Sequence, residues 1–281
     1  MTLKSDNVIP RTVLDSFRLP LDSFEELSGG SRPVFRVGDA VLKKIHATSL
    51  ESDHSLELAP WLQEQLASIK ENGFRIARPI TSSTGTWIVE DGWSAVTFLG
   101  GRPASSTDLP EVIAATQAML MAVRYIPKHP LLDCNTTPWG IAHRACLQLE
   151  RPKNVHTLLC SLIEAHYERL KPVELPEFRL IHGDLNLGNV IVSSGKPPGF
   201  LDFTPFWGPP ELGLAILANW AGPRRGNAEI LPLFESIPNF QQMLLRASLR
   251  MLIIVSEFNG VLGWQQAPEK RAAEIVLDYT S

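Results

Sequence analysis

Cysteine is scarce: Cys134, Cys146 and Cys160 are the only three in 281 residues, and no C-x-x-C spacing joins them. An odd, scattered set argues against a disulfide scaffold or a thiolate metal site and reads as buried free thiols in a reducing compartment. A surplus of one charge is also missing. Lysine and arginine number 26 against 30 acids, a net charge of -4, too mild for a nucleic-acid or membrane-surface binder. No apolar run is long. The richest late stretch, Met251 to Val255, is flanked by Arg250 and Glu257, so a core helix is expected there and no membrane span. Met1-Thr2-Leu3-Lys4-Ser5-Asp6 lacks the apolar core of a signal peptide, which makes a cytoplasmic location the expectation. Neither G-x-G-x-x-G nor G-x-S-x-G occurs, which removes the dinucleotide fingerprint and the hydrolase elbow. Internal repeats and low-complexity tracts are absent.

What is present is the composition of a globular enzyme, 44% hydrophobic and 20% charged, with enough chain for one large domain or two lobes. Residues 1 to about 23 read as an irregular lead-in around Pro10 and Pro20. Val34-Phe35-Arg36-Val37 and Ala40 to Ile45 form a hairpin across Gly38-Asp39. Gly29-Gly30 precedes it, where backbone can approach a ligand, although a plain turn is the better reading of the pair. Lys43 and Lys44 must face opposite sides of their strand. One can therefore be buried, with Glu57 or Glu64 as its acid partner on a helix over residues 55–70 that becomes regular near Pro60. Further strands are expected over 73–80, 86–89 and 95–99. After Gly100-Gly101 the pattern turns helical, with helices expected at 111–123, 141–149, 154–170, 213–221, 231–235 and 241–259. The division expected is 1–99 and 100–281.

The informative stretch runs from Leu180 to Val192. His182-Gly183-Asp184-Leu185 leads to Asn189 and the apolar Val190-Ile191-Val192, then a turn over Ser-Ser-Gly-Lys-Pro-Pro, then Gly199-Phe200-Leu201-Asp202-Phe203. Two short strands joined by a turn are a hairpin. Asp184 stands before it and Asp202 at its far end, so both carboxylates and Asn189 can converge on one cleft. That set suits phosphoryl transfer, which needs a residue to orient a hydroxyl and oxygen ligands to hold magnesium. His182 reads as a brace for this loop in preference to a metal ligand.

His182, Gly183, Asp184, Leu185, Asn189 and Leu201-Asp202-Phe203 resemble the H-G-D-L-x-x-x-N and L-D-F motifs of the aminoglycoside phosphotransferase and choline kinase-like family. Ala40-Val41-Leu42-Lys43 is similar to that family's third strand, and Val96 to Gly101 to its adenine-binding hinge. The resemblance runs from about residue 24 to 220, and its finer phrases look closest to a poorly characterised bacterial subgroup. It implies an α+β, bilobal protein-kinase-like fold, with a small antiparallel-sheet lobe and a larger, mainly helical one. It implies ATP and Mg2+ as cofactors and transfer of phosphate to a hydroxyl of a small molecule. By the resemblance Asp184 is the catalytic residue, Asn189 and Asp202 hold the metal, Lys43 holds the α- and β-phosphates and Glu57 fixes its ammonium. Gly30 and Ser31 would cover the phosphates, while Thr97 and Leu99 would meet adenine through the main chain. The family often carries an acid after a Gly-Asp-Pro stretch beyond the second metal residue. This chain has Pro209-Pro210-Glu211-Leu212 there, so either Glu211 is the replacement or the position is structural.

The acceptor is less legible. Pro138-Trp139-Gly140, His143, Arg144, Phe206-Trp207, Glu211 and Trp220 are candidate lining or plain packing. From Arg102 onward 17 acids face 16 lysines and arginines, a balance that does not favour a polycationic aminoglycoside. Sugars, amino alcohols and nucleosides stay open. Two rivals also stay open: a nucleotide-binding pseudokinase module, and an enzyme transferring AMP on the same fold. Neither nucleic acid nor membrane is expected as a partner, and oligomeric state is not readable.

Overall fold

Val34–Val37 (β2) and Ala40–Lys44 (β3) pair antiparallel with Val37 opposite Ala40, so the turn falls on Gly38-Asp39, where Gly38 takes φ +60°. They open the first of two units in a computed structural model that describes residues 9–20, 24–27, 33–45, 55–147, 150–153, 155–174, 177–258 and 266–281. The first unit comprises residues 1–70 and 76–100, the second 71–75 and 101–281. No composition break in the sequence marks the return of 71–75 to the second unit.

Among the described residues, the sheet of the first unit has six antiparallel strands. Glu25–Leu27 (β1), β2, β3, Trp93–Thr97 (β7) and Pro79–Ile80 (β5) lie side by side, and Ile88–Val89 (β6) also pairs with β7. The lead-in expected to be irregular contains a helix, Arg11–Ser16 (α1). Pro10 precedes its first residue, where a missing N–H is harmless. Ile9, Val13, Leu14 and Phe17 put their apolar side chains against Phe35, Val37, Leu42, Trp93 and Ala95, and that burial holds a helix too short to persist alone. The next helix, Ser55–Ser68 (α2), starts well before Pro60 and contains it. Proline here forfeits the hydrogen bond to the carbonyl of Leu56 and crowds that carbonyl, a cost confined to the start of the helix.

The second unit is mainly helical; a four-stranded sheet runs in the order β4-β11-β10-β8, from Arg75–Ile76, Lys196–Phe200, Val190–Ser193 and Arg102–Pro103. The hairpin of β10 and β11 turns on Ser194-Gly195, with Gly195 at φ +70°. Pro197 and Pro198, expected in the turn, lie inside β11. The ladder bulges between Ile191 and Ser193, opposite residues that have no N–H to give. A separate two-stranded ribbon pairs Arg179–His182 (β9) with Pro205–Gly208 (β12).

Leu109–Ala122 (α3), Pro138–Cys146 (α4) and Pro210–Ala221 (α6) fall close to their expected positions. Phe240–Phe258 (α7) is buried along almost its whole length, including Ile253, Ile254 and Phe258; Leu262 lies outside the described residues. Three expectations change. Cys160–Arg169 (α5) begins later than expected, because His156 closes a local turn onto the N–H groups of Leu158 and Leu159. Residues 231–235 form a single 3-10 turn, Leu231–Phe234. Gln266–Tyr279 (α8) was not anticipated, although Ala272, Ala273, Val276 and Leu277, all buried, carry the spacing of an amphipathic helix. All three cysteines are free, but Cys134 and Cys160 are exposed and only Cys146 is buried. No described helix is long and apolar enough to cross a membrane.

Candidate active site

Strand β9 ends at His182 and delivers the chain into the loop that carries Asp184. Gly183 follows because nothing larger fits: a Cβ built on it would stand 2.1 Å from Cδ2 of Phe206. Asn186 then caps the short 3-10 turn Leu187–Asn189 by accepting the N–H groups of Gly188 (2.9 Å) and Asn189 (3.3 Å), a usual task for asparagine at such a position. The turn aims Asn189 back at Asp184. Its side-chain N–H donates to the Asp184 carbonyl at 2.9 Å and to the Asp184 carboxylate at 3.2 Å.

A second segment, Leu201 to Thr204, is stitched to this loop by four hydrogen bonds. The Leu201 N–H donates to the Asn189 carbonyl at 2.9 Å and the Gly183 N–H to the Thr204 carbonyl at 2.8 Å. His182 supplies the other two: Nε2 bonds the Leu201 carbonyl at 3.1 Å, and Nδ1 accepts the Thr204 N–H at 3.4 Å. The same Nδ1 also faces the Asp184 N–H at 3.3 Å, and the ring stacks on Phe203 at 5.0 Å. Accepting at Nδ1 and donating at Nε2 is the pattern of a neutral imidazole. His182 therefore braces both segments. Between them Asp202 adopts φ +46°, a left-handed conformation that aspartate tolerates better than most residues.

Burial pushes the Asp184 carboxyl above its ordinary value and the Asp202 charge adds to this, while Arg250 and the side chains of Asn189 and Asn186 pull it partly back. Asp202 is thus near enough for its charge to act on Asp184. Among the described residues no group of three or more His, Cys, Asp or Glu could hold a metal ion. The oxygen donors here are instead carboxylates and an amide.

The other expected residues all fall within the first unit. Lys43 lies in β3 opposite Ser94, whose hydroxyl donates to the Lys43 carbonyl at 3.3 Å. Its neighbour Lys44 pairs with Asp91 at 3.7 Å, so the two lysines have different surroundings, as strand alternation requires. Glu57 occupies the first turn of α2, and both it and Glu64 are exposed. Thr97 closes β7, with its N–H on the Arg78 carbonyl and its hydroxyl accepting the Arg78 N–H. Leu99 lies just beyond the sheet. Gly30 and Ser31 lie outside the described residues.

Of the candidate acceptor lining, Trp139 packs edge-on against Phe258 at 4.8 Å and Trp220 lies under the Arg224 guanidinium at 3.8 Å. Both are explained by packing. His143 is buried and donates from Nε2 to the Trp207 carbonyl at 3.1 Å; burial, helped by the charge of Arg250, pushes its pKa down to about 3. Glu211 sits in the first turn of α6, half-buried, with Oε2 lacking a hydrogen-bond partner. Arg250, expected only as a charge flanking the Met251 to Val255 run, is fully buried in α7. Its one visible signal was a charge inside an apolar helical run.

A family profile described as "Phosphotransferase enzyme family" matches residues 23–247. The chain belongs to this family. Solved structures repeat the fold at low identity. An amicoumacin kinase in complex with AMP-PNP, Ca2+ and Ami aligns with TM-score 0.61 at 14% identity, over 96% of this chain and 92% of its own. A microcompartment-associated aminopropanol kinase aligns with TM-score 0.63 at 13% identity, over 96% and 94%. A choline/ethanolamine kinase family protein from Mesorhizobium loti aligns with TM-score 0.55 at 13% identity, over 92% and 93%. No curated protein sequence matches the chain. The architecture is thus the α+β protein-kinase-like one, with its antiparallel sheet in the first unit and most helices in the second. The matched span includes the loop that His182 braces.

Proposed function

We propose that this phosphotransferase uses ATP and magnesium to phosphorylate a hydroxyl group of a small molecule. The reading is carried by the stitching of the Asp184–Asn189 loop to the Leu201–Thr204 segment, which gathers two acids and an amide that are distant in sequence. Phosphoryl transfer asks the protein mostly for positioning and charge neutralisation. Asp184 would accept or orient the proton of the attacking hydroxyl. Its upward-shifted carboxyl suits a group that must take a proton in one step and return it in the next.

The residues present fit a magnesium ion. Asn189 spends its side-chain N–H on Asp184, which leaves the amide oxygen as the ligand atom, and Asp202 contributes a carboxylate. With no cluster of three acids among the described residues, nucleotide phosphates would complete the oxygen shell, as magnesium commonly requires. When bound, the ion would neutralise phosphate charge. Lys43 would bind the α- and β-phosphates and Glu57 would fix its ammonium. Gly30 and Ser31 would offer N–H groups to phosphate. Thr97 and Leu99 would meet adenine by main-chain atoms; the Thr97 N–H is already committed to Arg78, so its carbonyl is the atom proposed.

The fold does not select the acceptor: its relatives include proteins described as amicoumacin, aminopropanol and choline/ethanolamine kinases. The near balance of charge beyond Arg102 favours a neutral or singly charged hydroxyl compound. ATP consumption across a panel of sugars, amino alcohols and nucleosides, with mass spectrometry of products, tests the reading. Gain of one phosphate, abolished in Asp184→Asn with nucleotide affinity kept, is the expected result. Gain of AMP, or magnesium-dependent binding without turnover, overturns it.

A further inference from the structure

We propose that Arg250 is the buried counter-charge of the Asp184 loop, a positioning residue that acts on the loop by its field and not by a direct bond. The proposal rests on the reading of Asp184 as the residue that meets the acceptor hydroxyl. Arg250 is 2% exposed, on the helix around which the second unit is built. Its guanidinium carbon lies 5.0 Å from the centre of the Phe206 ring. That ring is pressed against Gly183, the residue before Asp184, and stands 4.6 Å from the His143 ring. One aromatic side chain therefore touches both the Asp184 loop and the buried cation.

Two of the guanidinium nitrogens, Nε and Nη2, have no hydrogen-bond partner. A buried cation with unfilled donors is costly unless an opposite charge offsets it. The ionisable groups whose fields reach Arg250 are Cys146 and Asp184, while His143 and Cys146 on α4 feel it in turn. Cys146 is pushed up to about 12 by burial and is a neutral thiol near pH 7. His143 is neutral too, and Arg246, which also acts on Cys146, is a second cation. Among these groups Asp184 alone carries negative charge. The unfilled nitrogens are closed to water, which argues for a fixed charge beneath the loop and against a ligand-binding arginine. Such a charge would hold Asp184 in place and offset the repulsion between Asp184 and Asp202 before any cation arrives.

A double-mutant cycle tests this. Urea unfolding is measured for Asp184→Asn, Arg250→Met and the pair together. If the charges couple, the unfolding constant of the double variant departs from the product of the single effects by on the order of tenfold. Arg250→Lys, which keeps the charge, retains the coupling to Asp184. Additive effects overturn the proposal, as does an Arg250→Met that fails to fold and is not rescued by Asp184→Asn. Slow magnesium-dependent ATP hydrolysis, with water as acceptor, gives the functional arm. Arg250→Met should lower kcat at least tenfold with KM for ATP within about twofold, and Arg250→Lys should recover most of the loss; an unchanged kcat, or no recovery, overturns the positioning role. The cycle reads the Asp184 charge whether or not Asp184 serves turnover. Coupling with full activity in Asp184→Asn sinks the functional reading alone, and lost activity without coupling sinks the counter-charge alone.

Discussion

Gly183 and Asp202 show two ways in which one residue constrains the site. At Gly183 the constraint is space, since any Cβ collides with the Phe206 ring. Gly183→Ala must push the ring or the loop aside, and overpacking of this kind costs about 1–3 kcal/mol. Urea unfolding should show that loss, with turnover reduced more than tenfold because the displaced loop carries Asp184. At Asp202 the constraint is a left-handed backbone, φ +46°. Asparagine also accepts that conformation, so Asp202→Asn should stay within about 0.5 kcal/mol of the parent protein in stability while losing magnesium-dependent turnover by orders of magnitude. Normal turnover in Asp202→Asn would remove this residue from the proposed metal site. The charged and amide groups were legible in the sequence because their order and spacing are tied to the chemistry. The collision at Gly183 and the backbone state of Asp202 were not, since both depend on Phe206 and on a bend that only folding creates.

Helices were legible where their own pattern decided them and obscure where a neighbour did. Helix α1 has six residues and exists because the back of the sheet covers its apolar face, which no local window reveals. Helix α5 loses its expected first turn because the His156 N–H bonds the Ser256 hydroxyl of α7 at 2.6 Å, holding that segment in a turn. Helix α8 has the apolar spacing but depends on a polar anchor. Glu269, buried to 2% exposure, accepts a hydrogen bond from Arg224 Nε at 2.6 Å, and Arg224 in turn covers Trp220. Removing one partner of such a pair leaves a buried charge uncompensated, a loss of about 3–5 kcal/mol when burial is complete. Arg224 is itself partly exposed, so Arg224→Met should cost about 2–3 kcal/mol. Hydrogen exchange should then show α8 opening before α7. Equal protection of the two helices in the variant would mean that apolar packing alone holds α8.

At the scale of the whole molecule, the second unit buries His143 and His166 with no acid among the described residues acting on either, and this shapes how its stability responds to pH. His166 is fully buried between the Leu162 carbonyl at 2.7 Å and the Ser248 hydroxyl at 2.9 Å. Burial lowers its pKa to about 4 and that of His143 to about 3. In the unfolded chain both would protonate near the ordinary histidine value of about 6.5. Between these limits the unfolded state binds protons that the folded state refuses, so the contribution to stability is complete above about pH 6.5 and is lost as pH falls. The share of His166 levels off near pH 4 and that of His143 near pH 3. Each histidine should steepen the dependence by about 1.4 kcal/mol per pH unit inside its window. Urea unfolding measured from pH 7 to pH 4 reads the combined slope, to which carboxylates also contribute. The variant His143→Gln/His166→Gln, which cannot take up those protons, should flatten that slope by about 2 kcal/mol per unit between pH 6 and pH 4.5. A slope that survives the double substitution would assign the acid sensitivity of this enzyme to its carboxylates and leave the buried imidazoles as packing.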